Sequence, residues 1–236
     1  MCTLTYLPLL NSAYILTSSR DESPARLKAL PPGEHIVGNR NVLYPEDQQS
    51  HGTWIAASRQ ISLCLMNGAF DRHVSNPPYR HSRGLVIPGS FAYTSISDFL
   101  DRYSFFDLEP FTLVAVERRE KLTLHEIRWD GKSVSHVTPD ATVTHIWSST
   151  MLYPEEVRKK RESWFNTWKH RHDFRRENIL DFHKSAGEGD PETNVLMNYR
   201  GIVLTVSITC IENSTERVSM SYYDRDTGEE YRNVLE

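Results

Sequence analysis

A cysteine follows the initiator methionine directly, and this placement gives the sequence its clearest chemical potential. Methionine aminopeptidases generally remove Met before a small residue, so the mature chain is expected to begin with Cys2. Its thiol has a reference pKa of about 8.5, and an α-amine on the same carbon has one of about 7.7–8.0. Because the thiolate is the attacking form and the amine accepts its proton, Cys2 is predicted to be a nucleophile with its own base.

Two charged residues follow a predicted hairpin. Residues 2–9 and 13–18 are rich in β-branched and aromatic side chains, which is typical of strands. The hairpin would return Arg20 and Asp21 to the side of Cys2. There Asp21 would orient the α-ammonium, and Arg20 would lower the thiol pKa or hold a substrate carboxylate. The alternative is that these charges belong to a solvated turn.

An asparagine marks the end of a later strand. Residues 61–66 read as an apolar strand that ends at Asn67-Gly68. A side-chain amide at this point would donate a hydrogen bond to a developing oxyanion. The alternative is an ordinary turn, since Asn-Gly is a strong turn signal.

These residues and several others resemble the NRDE family, which is named after an Asn-Arg-Asp-Glu motif and includes the transport and Golgi organisation proteins. The motif has Ser in place of Asn here. The matching stretches, in family order, are Cys2-Thr3-Leu4, Ser19-Arg20-Asp21-Glu22, His51-Gly52-Thr53-Trp54, Leu65-Met66-Asn67, Ser82-Arg83-Gly84, Tyr153-Pro154-Glu155 and Arg161-Glu162-Ser163-Trp164-Phe165.

The family in turn resembles cysteine N-terminal nucleophile (Ntn) hydrolases, such as penicillin V acylase and bile salt hydrolase, which cleave amides outside peptides. The resemblance implies an α+β fold, a four-layer αββα sandwich of two mainly antiparallel sheets, in a single domain over residues 1–236. The predicted elements are many strands and few helices, which agrees with sheet-on-sheet packing and helices outside.

The resemblance also implies further site residues. In the family the loop corresponding to residues 71–92 lies over the site, so Arg72, Arg80 and Arg83 are candidate contacts for an anionic substrate. Each is equally compatible with a surface charge. Similar hydrolases have an asparagine as second oxyanion donor where this chain has Ser149, whose hydroxyl is expected to donate instead.

Three functions follow. The first is hydrolysis or acyl transfer on a non-peptide amide or thioester through a Cys2 acyl-enzyme. The second is non-enzymatic binding or trafficking of a small molecule, haem or an acyl-coenzyme A or lipid, on the same fold. Ser149 in place of asparagine favours the second function, whereas Cys2, Arg20 and Asp21 favour the first. A third, thiol redox chemistry at Cys2, lacks a resolving cysteine nearby in the sequence.

Other segments give structural predictions. Residues 23–50 are rich in proline, charge and turn formers, which predicts an extended loop with one short strand at 35–37. A serine N-cap predicts a helix over residues 95–106. Residues 154–184 predict one long, locally basic amphipathic helix.

Composition excludes several classes of function. With 236 residues, 39% hydrophobic and 25% charged, the chain resembles an ordinary globular protein, and its net charge of −4 argues against nucleic-acid binding. No apolar run is long enough for a transmembrane segment, and no basic residue precedes Arg20 as in a signal peptide, so a cytoplasmic location is expected. No zinc-ligand cluster, P-loop or dinucleotide motif occurs, so no metal or cofactor is predicted. The expected partner is a small-molecule substrate or ligand, and the oligomeric state stays open.

Overall fold

Within residues 3–235, which the computed structural model of the protein describes, the backbone forms two seven-stranded antiparallel sheets. Sheet 1 has the strand order β10-β1-β2-β12-β13-β14, with β11 paired to β12. Its strands are β1 (Thr3–Pro8), β2 (Tyr14–Glu22), β10 (His145–Ser148), β11 (Asn198–Tyr199), β12 (Val203–Asn213), β13 (Val218–Asp224) and β14 (Glu230–Leu235).

Sheet 2 is a meander in which each strand pairs with the next one in the chain. Its strands are β3 (Ala29–Val37), β4 (Arg40–Asp47), β5 (Ile55–Ala57), β6 (Ile61–Asn67), β7 (Phe111–Arg118), β8 (Leu122–Trp129) and β9 (Val134–Val137).

The two sheets pack face to face over a buried apolar layer. Alternate residues point inward, such as Leu4 and Leu16 from sheet 1 and Leu43 and Val114 from sheet 2. The Tyr14 hydroxyl crosses this layer and donates to Ser62 Oγ of the opposite sheet at 2.7 Å. This layer is the core of the sandwich.

Helices cover the outer face of each sheet. The short helices α1 (Val86–Ser90) and α2 (Ile96–Arg102) share an apolar cluster with sheet 2, and the longer helices α3 (Glu155–Lys169) and α4 (Arg176–Ser185) share another with sheet 1. The fold is therefore α+β, with the predicted αββα layer order. The predicted N-cap of α2 is confirmed, because the Ser95 side chain accepts from the Asp98 backbone N–H.

The predicted loop over residues 23–50 is wrong. Residues 29–37 and 40–47 form the hairpin of β3 and β4, which turns at Gly38 with a φ of 62°. The prolines suggested a loop, but β3 is an edge strand, where a missing N–H is tolerated. The ladder shifts register between Leu30 and Gly33, where the two prolines lie.

The predicted single helix over residues 154–184 is also wrong. It breaks after Lys169 and restarts as α4 at Arg176. A straight helix of that length would be about 46 Å long. The break lets α4 turn back, so that Phe182 meets Phe165 with ring centroids 5.5 Å apart.

Candidate functional site

The β1–β2 hairpin sets the position of the predicted charged pair. Thr3 pairs with Ser19, and β2 continues through Glu22 instead of ending in a turn at residues 19–22. Arg20 and Asp21 are both buried, which contradicts the solvated-turn alternative. As consecutive strand residues they point to opposite faces of sheet 1. Cys2 lies outside the described residues, so its predicted role stays a prediction.

Arg20 points into the space between the sheets and meets a carboxylate from sheet 2. Its Nη2 lies 2.5 Å from Asp47 Oδ2, and its guanidinium carbon lies 4.5 Å from the centroid of the Trp54 ring. Arg26 binds the same carboxylate through Nε at 2.8 Å and Nη2 at 3.0 Å. One carboxylate thus fixes two arginines at the rim of the sandwich.

The electrostatics of this cluster follow from burial and pairing. Burial lowers the pKa of the Arg20 guanidinium, while the charge of Asp47 opposes that change. Burial alone would raise the pKa of Asp47, but hydrogen bonds from Arg26 and the Ser50 backbone, with the charges of both arginines, lower this pKa to about 2. Asp47 therefore stays ionised at neutral pH.

Asp21 points to the helical side of sheet 1, where two hydroxyls hold its carboxylate. The Tyr153 hydroxyl donates to Oδ2 and the Thr205 hydroxyl donates to Oδ1, each at 2.5 Å. All three residues are buried. The carboxylate is therefore held in one orientation by partners from two other segments of the chain.

A fully buried arginine supports this arrangement from behind. The guanidinium carbon of Arg161 lies 3.7 Å from the centroid of the Tyr153 ring, within cation–π range. Its Nη1 donates to Thr3 Oγ1 at 2.6 Å, and its other nitrogens donate to the carbonyl oxygens of Thr193 and Asn194. Arg161 thus connects the first described residue of β1 to the tyrosine that binds the aspartate.

Asn67 and Ser149 lie together where strands of the two sheets end. Ser149 Oγ donates to the Asn67 carbonyl oxygen at 2.8 Å and accepts from the Met151 backbone N–H at 3.3 Å. The Asn67 side-chain amide has no hydrogen-bond partner among residues 3–235. To donate to an oxyanion, the Ser149 hydroxyl would have to turn away from Asn67.

Of the three candidate substrate arginines, Arg83 lies at the site. Its Nη2 is 3.0 Å from Glu109 Oε2, and its Nη1 donates to the Pro110 carbonyl at 3.0 Å. Its loop packs on the connection between β4 and β5 through a close backbone contact, because a Cβ on Gly52 would lie 2.5 Å from the Gly84 carbonyl carbon. This contact needs a glycine at position 52.

The other two arginines lie elsewhere. Arg80 is exposed, donates to the Ser104 carbonyl at 2.5 Å and lies over the Tyr103 ring. Arg72 is exposed as well. Neither residue lines the cavity beside Arg20 that is described next. Their predicted role in substrate binding stays a prediction.

Several of the residues described above, although not Arg72 or Arg80, border a cavity of about 250 Å³. This cavity is called the polar cleft below. Its lining includes Arg20, Arg26, Asp47, Trp54, Asn67, Arg83 and Glu109. The Trp54 Nε1–H is buried and has no hydrogen-bond partner among the described residues. The Asn67 amide, on a partly exposed residue of the lining, is the donor that suits a carbonyl or an oxyanion.

Sequence reasoning missed several residues of this site, namely Arg26, Asp47, Trp54, Glu109, Tyr153, Arg161 and Thr205. Tyr153 and Arg161 occur in the family stretches, but their spacing from the hairpin gave no hint of contact. Asp47 was assigned to a loop, and Thr205 carried no signal in an apolar strand. The buried partners of Arg20 and Asp21 lie far away in the chain, so only the tertiary structure identifies them.

Comparison with known proteins agrees with the fold and the motifs. The family model for Transport and Golgi organisation 2 matches residues 1–199. The chain belongs to this family. No curated protein matches its sequence at a significant level.

Among solved structures, penicillin V acylase from Agrobacterium tumefaciens is similar, with a TM-score of 0.51 and 12% sequence identity. The match covers 98% of this chain and 85% of the acylase chain. The chain of 236 residues therefore has the fold of an Ntn hydrolase.

Two searches of the described residues gave no positive result. None of the helices in this part of the chain is long and apolar enough to cross a membrane. Within residues 3–235, no group of three or more His, Cys, Asp and Glu side chains has an arrangement suited to a metal ion.

Proposed function

We propose that this protein is an N-terminal-cysteine hydrolase or acyltransferase that acts on a non-peptide amide or thioester through a Cys2 acyl-enzyme. The observation that carries the proposal is the buried carboxylate of Asp21, which accepts hydrogen bonds from two hydroxyls. Asp21 belongs to β2, the strand that pairs with the strand of Thr3. A fixed carboxylate near the start of the chain suits an α-ammonium that must be held in one orientation. The Ntn-hydrolase fold adds support.

In the proposed reaction, the α-amine takes the proton of the Cys2 thiol, and the resulting thiolate attacks the carbonyl carbon to form a C–S bond. The Asn67 amide and a backbone N–H stabilise the oxyanion. The ammonium then protonates the leaving nitrogen or sulfur as its bond to carbon breaks. Water, deprotonated by the amine, attacks the thioester and releases the acid. Asp21 orients the amine, and Arg20 stabilises the thiolate or the substrate.

The deciding experiment is the intact mass of the native protein before and after iodoacetamide at neutral pH, with Cys2→Ala as control. Cys64 and Cys210 should not be alkylated in the folded protein, because burial raises the pKa of both thiols to about 12. We expect loss of Met1 and one rapid, Cys2-dependent alkylation. A retained Met1, or a Cys2 no more reactive than free cysteine, would reject the mechanism.

One observation favours the non-enzymatic alternative. The Ser149 hydroxyl donates to the Asn67 carbonyl, so the expected second oxyanion donor is engaged elsewhere. On this alternative the pocket would bind haem or an acyl-coenzyme A or lipid without turnover. Titration with haem tests its haem form: a shifted Soret band supports binding, and an unchanged spectrum argues against it.

A further inference from the structure

A second cavity, of about 380 Å³, adjoins the polar cleft at the opening of the sandwich. We call it the side cavity. Arg20, Glu22 and Arg26 line both cavities, so the two spaces meet at this charged group. The remaining walls of the side cavity include Pro24, Leu27, Ala29, Leu204, Val206 and Tyr222.

The charged groups around the side cavity each have an ion-pair or hydrogen-bond partner. Lys28 and Asp226 form an exposed ion pair at 2.5 Å. The Arg225 guanidinium donates to the backbone carbonyls of Met197 and Thr205. With these charged groups engaged, the apolar part of the wall, which includes Leu27, Leu204 and Val206, suits an apolar group.

A β-bulge turns an apolar residue toward this space. Thr205 pairs with Asp21, but Ser207 pairs with Arg20, so Val206 is an extra residue in β12. Bulges re-aim side chains and are frequent next to active sites. The bulge lets Thr205 bind the Asp21 carboxylate while Val206 lines the side cavity.

The polar cleft has the complementary character. Its buried Trp54 Nε1–H and the Asn67 amide are donors without partners in the described part of the chain. Arg83 lies at the same wall and is paired there with Glu109 at 3.0 Å. The Asn67 amide, on a partly exposed residue, suits a ligand portion that bears an acceptor, such as an amide carbonyl.

We propose that the substrate is an N-acyl or S-acyl compound whose apolar acyl chain occupies the side cavity and whose acceptor-bearing leaving group occupies the polar cleft, with the scissile carbonyl near Arg20. This inference rests on the proposed function. It commits the enzyme to amphipathic substrates and makes Val206 and Leu204 determinants of acyl-chain length.

The test uses calorimetric binding of acetyl-, hexanoyl- and decanoylglycine to the Cys2→Ala variant, which cannot turn them over by the proposed mechanism. Each buried CH₂ should tighten binding about threefold to fourfold. Decanoylglycine should therefore bind at least about tenfold more tightly than hexanoylglycine. A ratio below about twofold would overturn the assignment of the side cavity.

Val206→Trp in the same background should fill the side cavity and abolish this ratio. Ile202→Trp is the matched control, because Ile202 is an exposed apolar residue just before the same strand and lines neither cavity. If thermal unfolding shows that the Val206→Trp variant does not fold, Leu204→Asn is used in its place. An unchanged ratio in a folded Val206→Trp or Leu204→Asn variant contradicts the proposal.

The two proposals fail separately. Iodoacetamide labelling of the unmodified sequence reports on the Cys2 nucleophile and does not need the side cavity. Reactive Cys2 with no chain-length preference would overturn only the side-cavity assignment. Inert Cys2 with a strong, Val206-dependent preference would overturn the hydrolase and leave an acyl-chain binding site.

Discussion

At the residue scale, the proposed chemistry separates into steps that single side chains control. Asn67 is proposed to act on the oxyanion, which exists in acyl transfer but not in alkylation of a thiol. Asp21 and Arg20 are proposed to act on the nucleophile itself and would affect both reactions. This difference makes their roles distinguishable.

Asn67→Ala should lower kcat for an amide or thioester substrate by about 100- to 1,000-fold, the range found when one oxyanion donor is removed. The rate of Cys2 alkylation by iodoacetamide should stay within about twofold, because no oxyanion forms in that reaction. Both rates are measured on the same preparation. Equal activity in the variant would remove Asn67 from the mechanism.

A second residue-scale prediction concerns the glycine after Asn67. Gly68 has a φ of 84°, and a Cβ there would lie 2.3 Å from Thr150 Oγ1 and 2.8 Å from Met151 Cγ. Gly68→Ala should lower the free energy of unfolding by about 2–5 kcal/mol, from backbone strain and overpacking together. Urea denaturation measures this change.

Gly228→Ala is the matched control, because its φ is 72° and nothing lies within 4 Å of a Cβ there. This variant carries only the backbone strain, about 1–2 kcal/mol. Equal losses in the two variants would show that the contact with Thr150 and Met151 does not matter.

At the element scale, a neutral histidine joins α4 to sheet 1. His183 is fully buried, with Nε2 2.9 Å from Thr5 Oγ1 and Nδ1 2.8 Å from Ser19 Oγ. Burial, with a smaller contribution from the charge of Arg161, lowers its pKa to about 3. The histidine therefore links two strands to the helix only in its neutral form.

Stability should consequently fall as the pH falls below the ordinary histidine pKa of 6.5. Between pH 6.5 and 3 the unfolded chain binds the proton and the folded chain does not, so His183 contributes up to about 1.4 kcal/mol of lost stability per pH unit. His183→Gln should reduce this slope between pH 6.5 and 4.5. The pKa of Asp47 falls from its ordinary value of 3.8 to about 2 in the folded protein. Its effect on stability therefore lies below the pH range used to measure the slope. An unchanged slope would contradict the role of His183.

At the scale of the whole molecule, two buried cysteines report on different layers. Cys64 lies in the core between the sheets, and Cys210 lies in the cluster between sheet 1 and its helices. If residues 1–236 form one cooperative domain, as we propose, both thiols should become reactive with the same opening free energy in low urea. Alkylation followed by peptide mass analysis measures the two values, with Cys64→Ser and Cys210→Ser as controls.

A lower opening free energy at Cys210 would show that the helical layer opens alone. In that case the Arg161–Tyr153 support of Asp21 would open with it, because Arg161 belongs to α3. The measurement therefore also tests whether the proposed site is as stable as the core.

Local patterns in the sequence determined the hairpin of β1 and β2, the N-cap of α2 and most strands of the meander. These features depend on neighbours within a few residues, where alternation and turn residues act directly. The family stretches predicted the fold and led to the proposed site.

Only the tertiary structure decided the rest. The strand β3 depends on an edge position that tolerates proline, and the break before α4 accompanies the packing of Phe182 against Phe165. Asp47, Tyr153 and Thr205 reach Arg20 or Asp21 across 27, 132 and 184 residues of chain. No periodicity connects positions so far apart, because their contact is created by sheet pairing and layer packing, and these are set by the burial of the whole core.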